Sequence, residues 1–103
     1  MYEICGEKLV RRPEVRIGDR IFEIDNRLST FERINERLKN RDGDGDFEII
    51  IGEALGLAVY RELREMDLAY GVMYEIVIVI LAAIQDLSVE EARARFRGQG
   101  EAG

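Results

Sequence analysis

The sequence predicts an α+β domain, an N-terminal β-hairpin followed by a mostly helical bundle of about four helices. Three observations carry this expectation. Apolar and polar residues alternate over residues 14–24 around Gly18-Asp19, as in a half-buried strand pair. From Ser29 onward the apolar spacing changes to that of helices. A single proline and 47% apolar content in 103 residues suit one domain with its own core.

The segment EVRI-GD-RIFEI reads as two short strands joined by a two-residue turn. Pairing Ile17 with Arg20 sets Val15 opposite Phe22. Val15, Ile17, Phe22 and Ile24 then share one face, and Glu14, Arg16 and Glu23 the other. A three-residue turn would pair Val15 with Glu23 and mix the faces. Upstream, residues 2–5 and 8–10 read as further extended structure around Gly6-Glu7, broken by Arg11-Arg12-Pro13.

Leu28, Phe31, Ile34 and Leu38 form one helical stripe, and Ser29 followed by Glu32 has capping-box spacing, which predicts a helix over residues 30–40. The following RDGDGD is a loop, because its glycines and aspartates compete with helical hydrogen bonding. A second helix is predicted over residues 47–66, with Asp46 as N-cap and Phe47, Ile50, Ile51, Ala54, Leu55, Ala58 and Val59 on a broad apolar arc. Gly52 and Gly56 lie inside it and each costs about 1 kcal/mol relative to alanine, so close helix packing is the expected compensation. Their spacing resembles a membrane dimer motif, but Glu53, Arg61, Glu62, Arg64 and Glu65 argue for a soluble bundle.

Asp67 is placed to cap a third helix over residues 68–86, whose polar positions Gly71, Glu75, Ala82 and Asp86 make one narrow stripe. The β-branched run IVIVI would also suit a buried strand, but the length without proline and the continuation LAAIQDL favour helix. A helix apolar on most sides needs partners around it, either within the bundle or on another molecule, and the pattern leaves both open. Ser88 and Glu91 repeat the capping-box spacing ahead of a fourth helix over residues 89–97, with Val89, Ala92 and Phe96 on one stripe. Glu90 and Glu91 early and Arg93, Arg95 and Arg97 late complement the helix dipole. Gly98 is expected to end it, giving a domain over residues 1–97 and a flexible tail over residues 98–103.

Charge is uneven. Residues 1–41 hold ten Lys or Arg against eight Asp or Glu, whereas residues 42–103 hold five against thirteen. With a net charge of −6 and pI ≈ 4.7, a nucleic-acid partner is not expected. The absence of histidine excludes imidazole acid-base catalysis, Ser/His/Asp and Cys/His machinery and His-containing zinc sites within one chain. Cys5 is the only thiol, so no intrachain disulfide forms, and it reads as a small packed residue in a reducing cytoplasm. MYEICGEKLVRR lacks the order of a signal peptide, so export is not expected. The apolar stretch over residues 68–84 contains Glu75 and falls short of the roughly 20 residues a bilayer demands, so no membrane partner is expected either.

The sharpest local motif is DGDGDFEIIIGE, in which Asp42, Asp44, Asp46 and Glu53 match positions 1, 3, 5 and 12 of an EF-hand loop. Position 6 requires glycine and holds Phe47, and a helix starting there consumes the second half of the loop. A solvated acidic loop is therefore expected, with no metal and no cofactor. The segment Gly52-Glu-Ala-Leu-Gly56 lacks the Lys-Ser/Thr ending of a phosphate loop. No acid pair is brought to a concave site, so an enzyme is not expected. Arg11-Arg12 and Arg33/Arg37/Lys39/Arg41 are interleaved with acids and read as solvated faces. Glu75 either faces water at the edge of its helix or pairs with an arginine; the neighbouring Gly71, Ala82 and Asp86 favour the edge.

The candidate partner-binding strip is Tyr70, Tyr74, Val77, Ile78 and Leu81 on the third helix, with Phe96 on the last. Such a surface holds apolar segments without precise shape matching and favours self-association into a homo-oligomer, whereas the alternative makes these residues plain core.

The order of RIFEID, LSTFERINERLKN, a Gly/Asp loop and FEIIIGEALGLAVYRELREMDLAYGVMYEIVIVILAAIQDLSVEEARARFR resembles the tail assembly chaperones of long-tailed bacterial viruses infecting Gram-positive hosts. The resemblance covers about residues 14–97. It implies a small, mostly helical, non-enzymatic protein of the bacterial cytoplasm that binds the tape-measure protein during tail assembly, often with a second, frameshift-extended form. It supplies no catalytic residues. The other readings are a small oligomeric structural or adaptor protein of a phage or mobile element, and a divalent-ion sensor.

Overall fold

The computed structural model describes residues 12–40, 43 and 45–101, with side chains through Phe96. Strands β1 (Glu14–Ile17) and β2 (Arg20–Glu23) form an antiparallel hairpin with Val15 opposite Phe22 and Ile17 opposite Arg20, the register the alternation requires. Gly18 takes φ +63° at the first turn position, where only glycine avoids a steric cost. Val15 and Ile24 are buried, Ile17 and Phe22 pack partly against the core, and Glu14, Arg16 and Glu23 face solvent. The expected extended segments at residues 2–5 and 8–10, and Cys5 with them, lie outside the described residues.

Five helices follow: α1 (Leu28–Lys39), α2 (Asp46–Ala54), α3 (Leu57–Glu65), α4 (Tyr70–Gln85) and α5 (Val89–Glu101). The protein is α+β and mostly helical, with one more helix among the described residues than the sequence pattern predicts. Residues 47–66 are not one helix. Gly56 adopts φ +108° and ψ 145°, closed to ordinary L-residues, and the chain turns there. Gly52 serves no close approach, since a Cβ added to it would meet only Leu57 Cδ1 at 3.9 Å. The two glycines therefore do different things, and neither is a packing notch between helices.

The hub is α2, which packs against α1, α3 and α4. Its consecutive Ile49, Ile50 and Ile51 are all buried, an arc of about 200° that one neighbouring helix could not cover. The hairpin is stitched to its end, because the Asp25 N–H donates to the Ala54 carbonyl at 2.9 Å and satisfies one orphan acceptor of the helix terminus. A second tie runs from Arg20 to Glu62 on α3.

Helix ends follow the expected chemistry at one site and depart from it at others. Glu91 N–H donates to Ser88 Oγ at 3.1 Å and Ser88 N–H to Glu91 Oε1 at 3.3 Å, a complete capping box for α5. Ser29 and Glu32 form none, because α1 already begins at Leu28 with Arg27 as N-cap. There Asp25 accepts the Arg27 N–H at 3.2 Å and its guanidinium at 2.9 and 2.8 Å. Leu28, expected on the buried stripe, is the first residue of the helix and is 72% exposed. Gly45 rather than Asp46 is the N-cap of α2. Asp67 caps nothing forward: at φ +50° it ends α3, its N–H donating to the Arg64 carbonyl at 3.1 Å. Asp86, at φ +54°, ends α4 in the same left-handed way, and Leu87 N–H closes back on the Ala82 carbonyl at 2.9 Å.

Helix α5 turns back on α4 with a bend of 108°, burying Ala82, which the sequence pattern places on a polar stripe, near Ala92. It runs past Gly98 to Glu101, so that glycine does not stop it; a glycine inside a helix costs about 1 kcal/mol but terminates it only by leaving the helical region. Among the described residues no single helix is long and apolar enough to cross a membrane.

Candidate functional site

The expected surface strip divides in two. Val77, Ile78 and Leu81 are buried within the single chain, so they belong to the core and not to a free face. Their helix is apolar almost all round, and α2 and α5 cover the sides that carry them. The self-association expected from that strip loses this part of its surface. Tyr70 is 74% exposed, and Tyr74 and Phe96 are half-buried.

These three aromatics belong to a larger cluster. Phe47 in the first turn of α2 meets Tyr70 with ring centroids 5.3 Å apart and planes tilted by 43°. Tyr70 stacks toward Tyr74 at 6.4 Å, and Tyr74 meets Phe96 edge-on at 5.5 Å. Offset and edge contacts of this kind are the favourable arrangements of aromatic quadrupoles. Beside the cluster lies a groove of about 360 Å³, walled by Phe47, Tyr60, Tyr70 and Phe96 from four different helices, with Asp46, Glu48 and Arg64 among its polar groups. Tyr60 and Arg64 lie four residues apart on α3, hence on one face. Arg64 Nη1 donates to Tyr60 Oη at 3.1 Å, and its guanidinium stands 6.0 Å from the Tyr60 ring centroid. Asp46 and Glu48 occupy the first turn of α2, where the helix dipole favours negative charge. A smaller cavity of about 90 Å³ lies behind Phe96, between α1, α4 and α5.

Glu53 and Glu75, two of the acids singled out by the sequence, have structural partners. Glu53, the twelfth position of the calcium-loop pattern, is helical and accepts hydrogen bonds from Arg33 Nε at 3.0 Å and Arg37 Nη1 at 2.9 Å. Burial works against its ionisation, but the two guanidiniums outweigh that and hold the carboxyl below the usual glutamate value. Asp42 and Asp44 lie outside the described residues. Arg33 and Arg37 thus lie on a solvated face, as expected, and at the same time brace α1 against α2 through Glu53; Arg33 also donates to the buried Thr30 Oγ1 at 3.2 Å. Arg11 and Arg41 lie outside the described residues. Glu75 is exposed, as its place at the helix edge predicts, and is also paired, with Arg93 Nη2 at 2.5 Å. Among the described residues no group of three or more acidic, histidine or cysteine side chains is arranged to hold a metal ion.

Asp46, Phe47, Glu48, Tyr60 and Arg64 are groove residues that sequence reasoning did not assign to a site. The available signal was position: Phe47 follows a helix start and Tyr70 stands at one, so both rings lie at helix ends where side chains from successive elements converge. No protein-family model matches the chain, and neither a curated protein nor a solved structure matches it.

Proposed function

We propose that this chain is a non-enzymatic binding protein that holds an apolar helical segment of a partner, acting as a tail assembly chaperone toward a tape-measure protein in the cytoplasm of a bacterial host. The observation that carries the reading is the groove itself: four aromatic side chains from four helices, open to solvent at Tyr70. Its volume of about 360 Å³ is enough for more than one apolar side chain, and its walls are helices, which suits the mode in which a partner helix lays successive anchors into a groove. Aromatic rings that keep a hydroxyl in water can meet apolar segments of varied shape. The resemblance of residues 14–97 to the phage chaperones supplies the identity of the partner.

The test is co-expression with the tape-measure protein of the same genome. A larger soluble fraction of that protein and a complex that co-purifies are expected. Tyr70→Asp should abolish the complex and leave the fold intact, because this ring is mostly in water. Ile78→Asp should unfold the chain, since an unpaired charge in the core costs several kcal/mol. Equal solubility with and without this chain, and no isolable complex, would replace the reading by that of a small structural adaptor.

A further inference from the structure

The groove has a charge preference as well as an apolar floor. Between residues 45 and 96, the part of the chain that builds it, there are ten carboxylates and four arginines. Among the described residues, two of those carboxylates, Asp46 and Glu48, lie on the groove wall together with one guanidinium, that of Arg64. Arg64 is already committed: it donates to Tyr60 Oη and lies in the field of Glu48 and Asp67. Apart from Gly45 the remaining wall is aromatic, and Tyr70 is 74% exposed, so an aromatic residue stands largely in solvent in the same groove as two carboxylates. Aromatic faces and carboxylates attract the same kind of group, a cation carried on an apolar stem, and lysine and arginine side chains have that form.

From this charge complementarity we infer that the groove recognises a basic amphipathic helix, apolar anchors seated between Phe47, Tyr60 and Phe96 and lysine or arginine side chains running over Tyr70 to Asp46 and Glu48. An acidic helix of equal apolar character meets two like charges at that wall and is rejected, which gives the holding activity a direction. The inference rests on the groove being the contact surface of the proposed chaperone.

The probes are two labelled amphipathic peptides of about 18 residues, long enough for five turns, one built of leucine and lysine and the other with glutamate at every lysine position. Binding is read by fluorescence anisotropy against the full chain at about 150 mM salt, where charges separated by more than roughly 8 Å are screened. The lysine peptide should bind at least about tenfold more tightly than the glutamate peptide, a step worth roughly 1.4 kcal/mol. Tyr70→Ala should weaken it by about tenfold, the loss expected of an aromatic anchor. Glu48→Gln should weaken it as well. Arg64→Gln, which keeps a donor for Tyr60, should strengthen it by removing an opposing charge from the wall. Circular dichroism of each variant confirms that the fold is kept. Equal affinity for the two peptides, or a lysine-peptide affinity untouched by Tyr70→Ala and lowered by Arg64→Gln, overturns the inference. The two readings fail separately. Peptide selectivity without a tape-measure complex keeps the groove and removes the tail role, while a tape-measure complex that survives Tyr70→Ala removes the groove.

Discussion

Alanine at Gly52 and at Gly56 should change stability in opposite directions, although the sequence presents the two glycines as one repeated feature four residues apart. Gly56 sits at φ +108° and ψ 145°. An L-residue held there costs on the order of 1–3 kcal/mol, offset by about 0.5–1 kcal/mol because alanine restricts the unfolded chain. No atom lies within 4 Å of the added Cβ, so the cost is backbone strain alone. Gly56→Ala should therefore destabilise by about 1–2 kcal/mol. Gly52 is helical, and its added methyl would make only an ordinary contact with Leu57 Cδ1 at 3.9 Å. Gly52→Ala should stabilise by about 0.5–1 kcal/mol through helix propensity and chain entropy. Urea denaturation followed by far-UV circular dichroism separates the two, and melting temperatures should diverge by several degrees at roughly 4–8 °C per kcal/mol. Comparable destabilisation by both substitutions would restore the helix-packing role for the pair and refute the separate role of Gly56 in the turn. A neutral Gly56→Ala would refute the backbone argument.

Ser88→Ala should destabilise by about 1 kcal/mol, since it removes the side-chain acceptor for Glu91 N–H at the start of α5; the same unfolding assay checks it. Glu53→Gln should cost about 1 kcal/mol at neutral pH, discounted because both guanidinium partners are 40% or more exposed. Acid should destabilise the domain with a defined sign. Asp25, through its hydrogen bond from the Arg27 side chain, and Glu53, through Arg33 and Arg37, both have carboxyl pKa values depressed in the fold. Their contribution is therefore complete above the unfolded carboxyl pKa of about 4 and is lost as pH falls further, which a denaturation series from neutral to acid pH measures. Glu53→Gln should flatten that fall. Calcium at micromolar concentration should leave the melting temperature unchanged, because Glu53 is held by two arginines and residues 46–54 are helical; a calorimetric micromolar site abolished by Asp44→Ala would contradict this.

The hairpin was legible to the residue because a period of two leaves no freedom: shifting the turn by one residue would have put Glu23 opposite Val15 and charges on the buried face. The capping box at Ser88 was legible for a similar reason, since both members must be present and both are. At Ser29 the same spacing misleads. Capping depends on where the helix begins, and the Asp25–Arg27 interaction shapes the entry ahead of it. The break at Gly56 was hidden because the apolar spacing of Ile51, Leu55 and Val59 continues across it, so periodicity alone cannot register a change of one dihedral angle. The fate of Val77, Ile78 and Leu81 was illegible in principle. A helix apolar on nearly every side carries no information about which side its neighbours cover. Tyr70 and Tyr74 survived as exposed and half-buried rings because they lie toward the start of α4, and Phe96 on α5 is half-buried against Tyr74.

The break in the middle of the predicted helix is also what creates the groove. In one continuous helix over residues 47–66, Tyr60 would lie thirteen residues from Phe47, about 20 Å along the axis, and the two could not wall a common site. Because the chain turns at Gly56, α3 returns along α2 and brings Tyr60 and Arg64 to the end where Phe47, Asp46 and Glu48 stand. The short connection from Glu65 to Tyr70, closed by the left-handed Asp67, then sets Tyr70 beside Phe47. Geometry at one glycine therefore controls a surface built by four helices. Gly56→Ala should weaken binding of the lysine peptide at a temperature where the variant is still folded, whereas Gly52→Ala should leave that binding unchanged while raising stability. If Gly56→Ala lowers stability but binds with full affinity, the turn is set by the surrounding packing and not by the glycine.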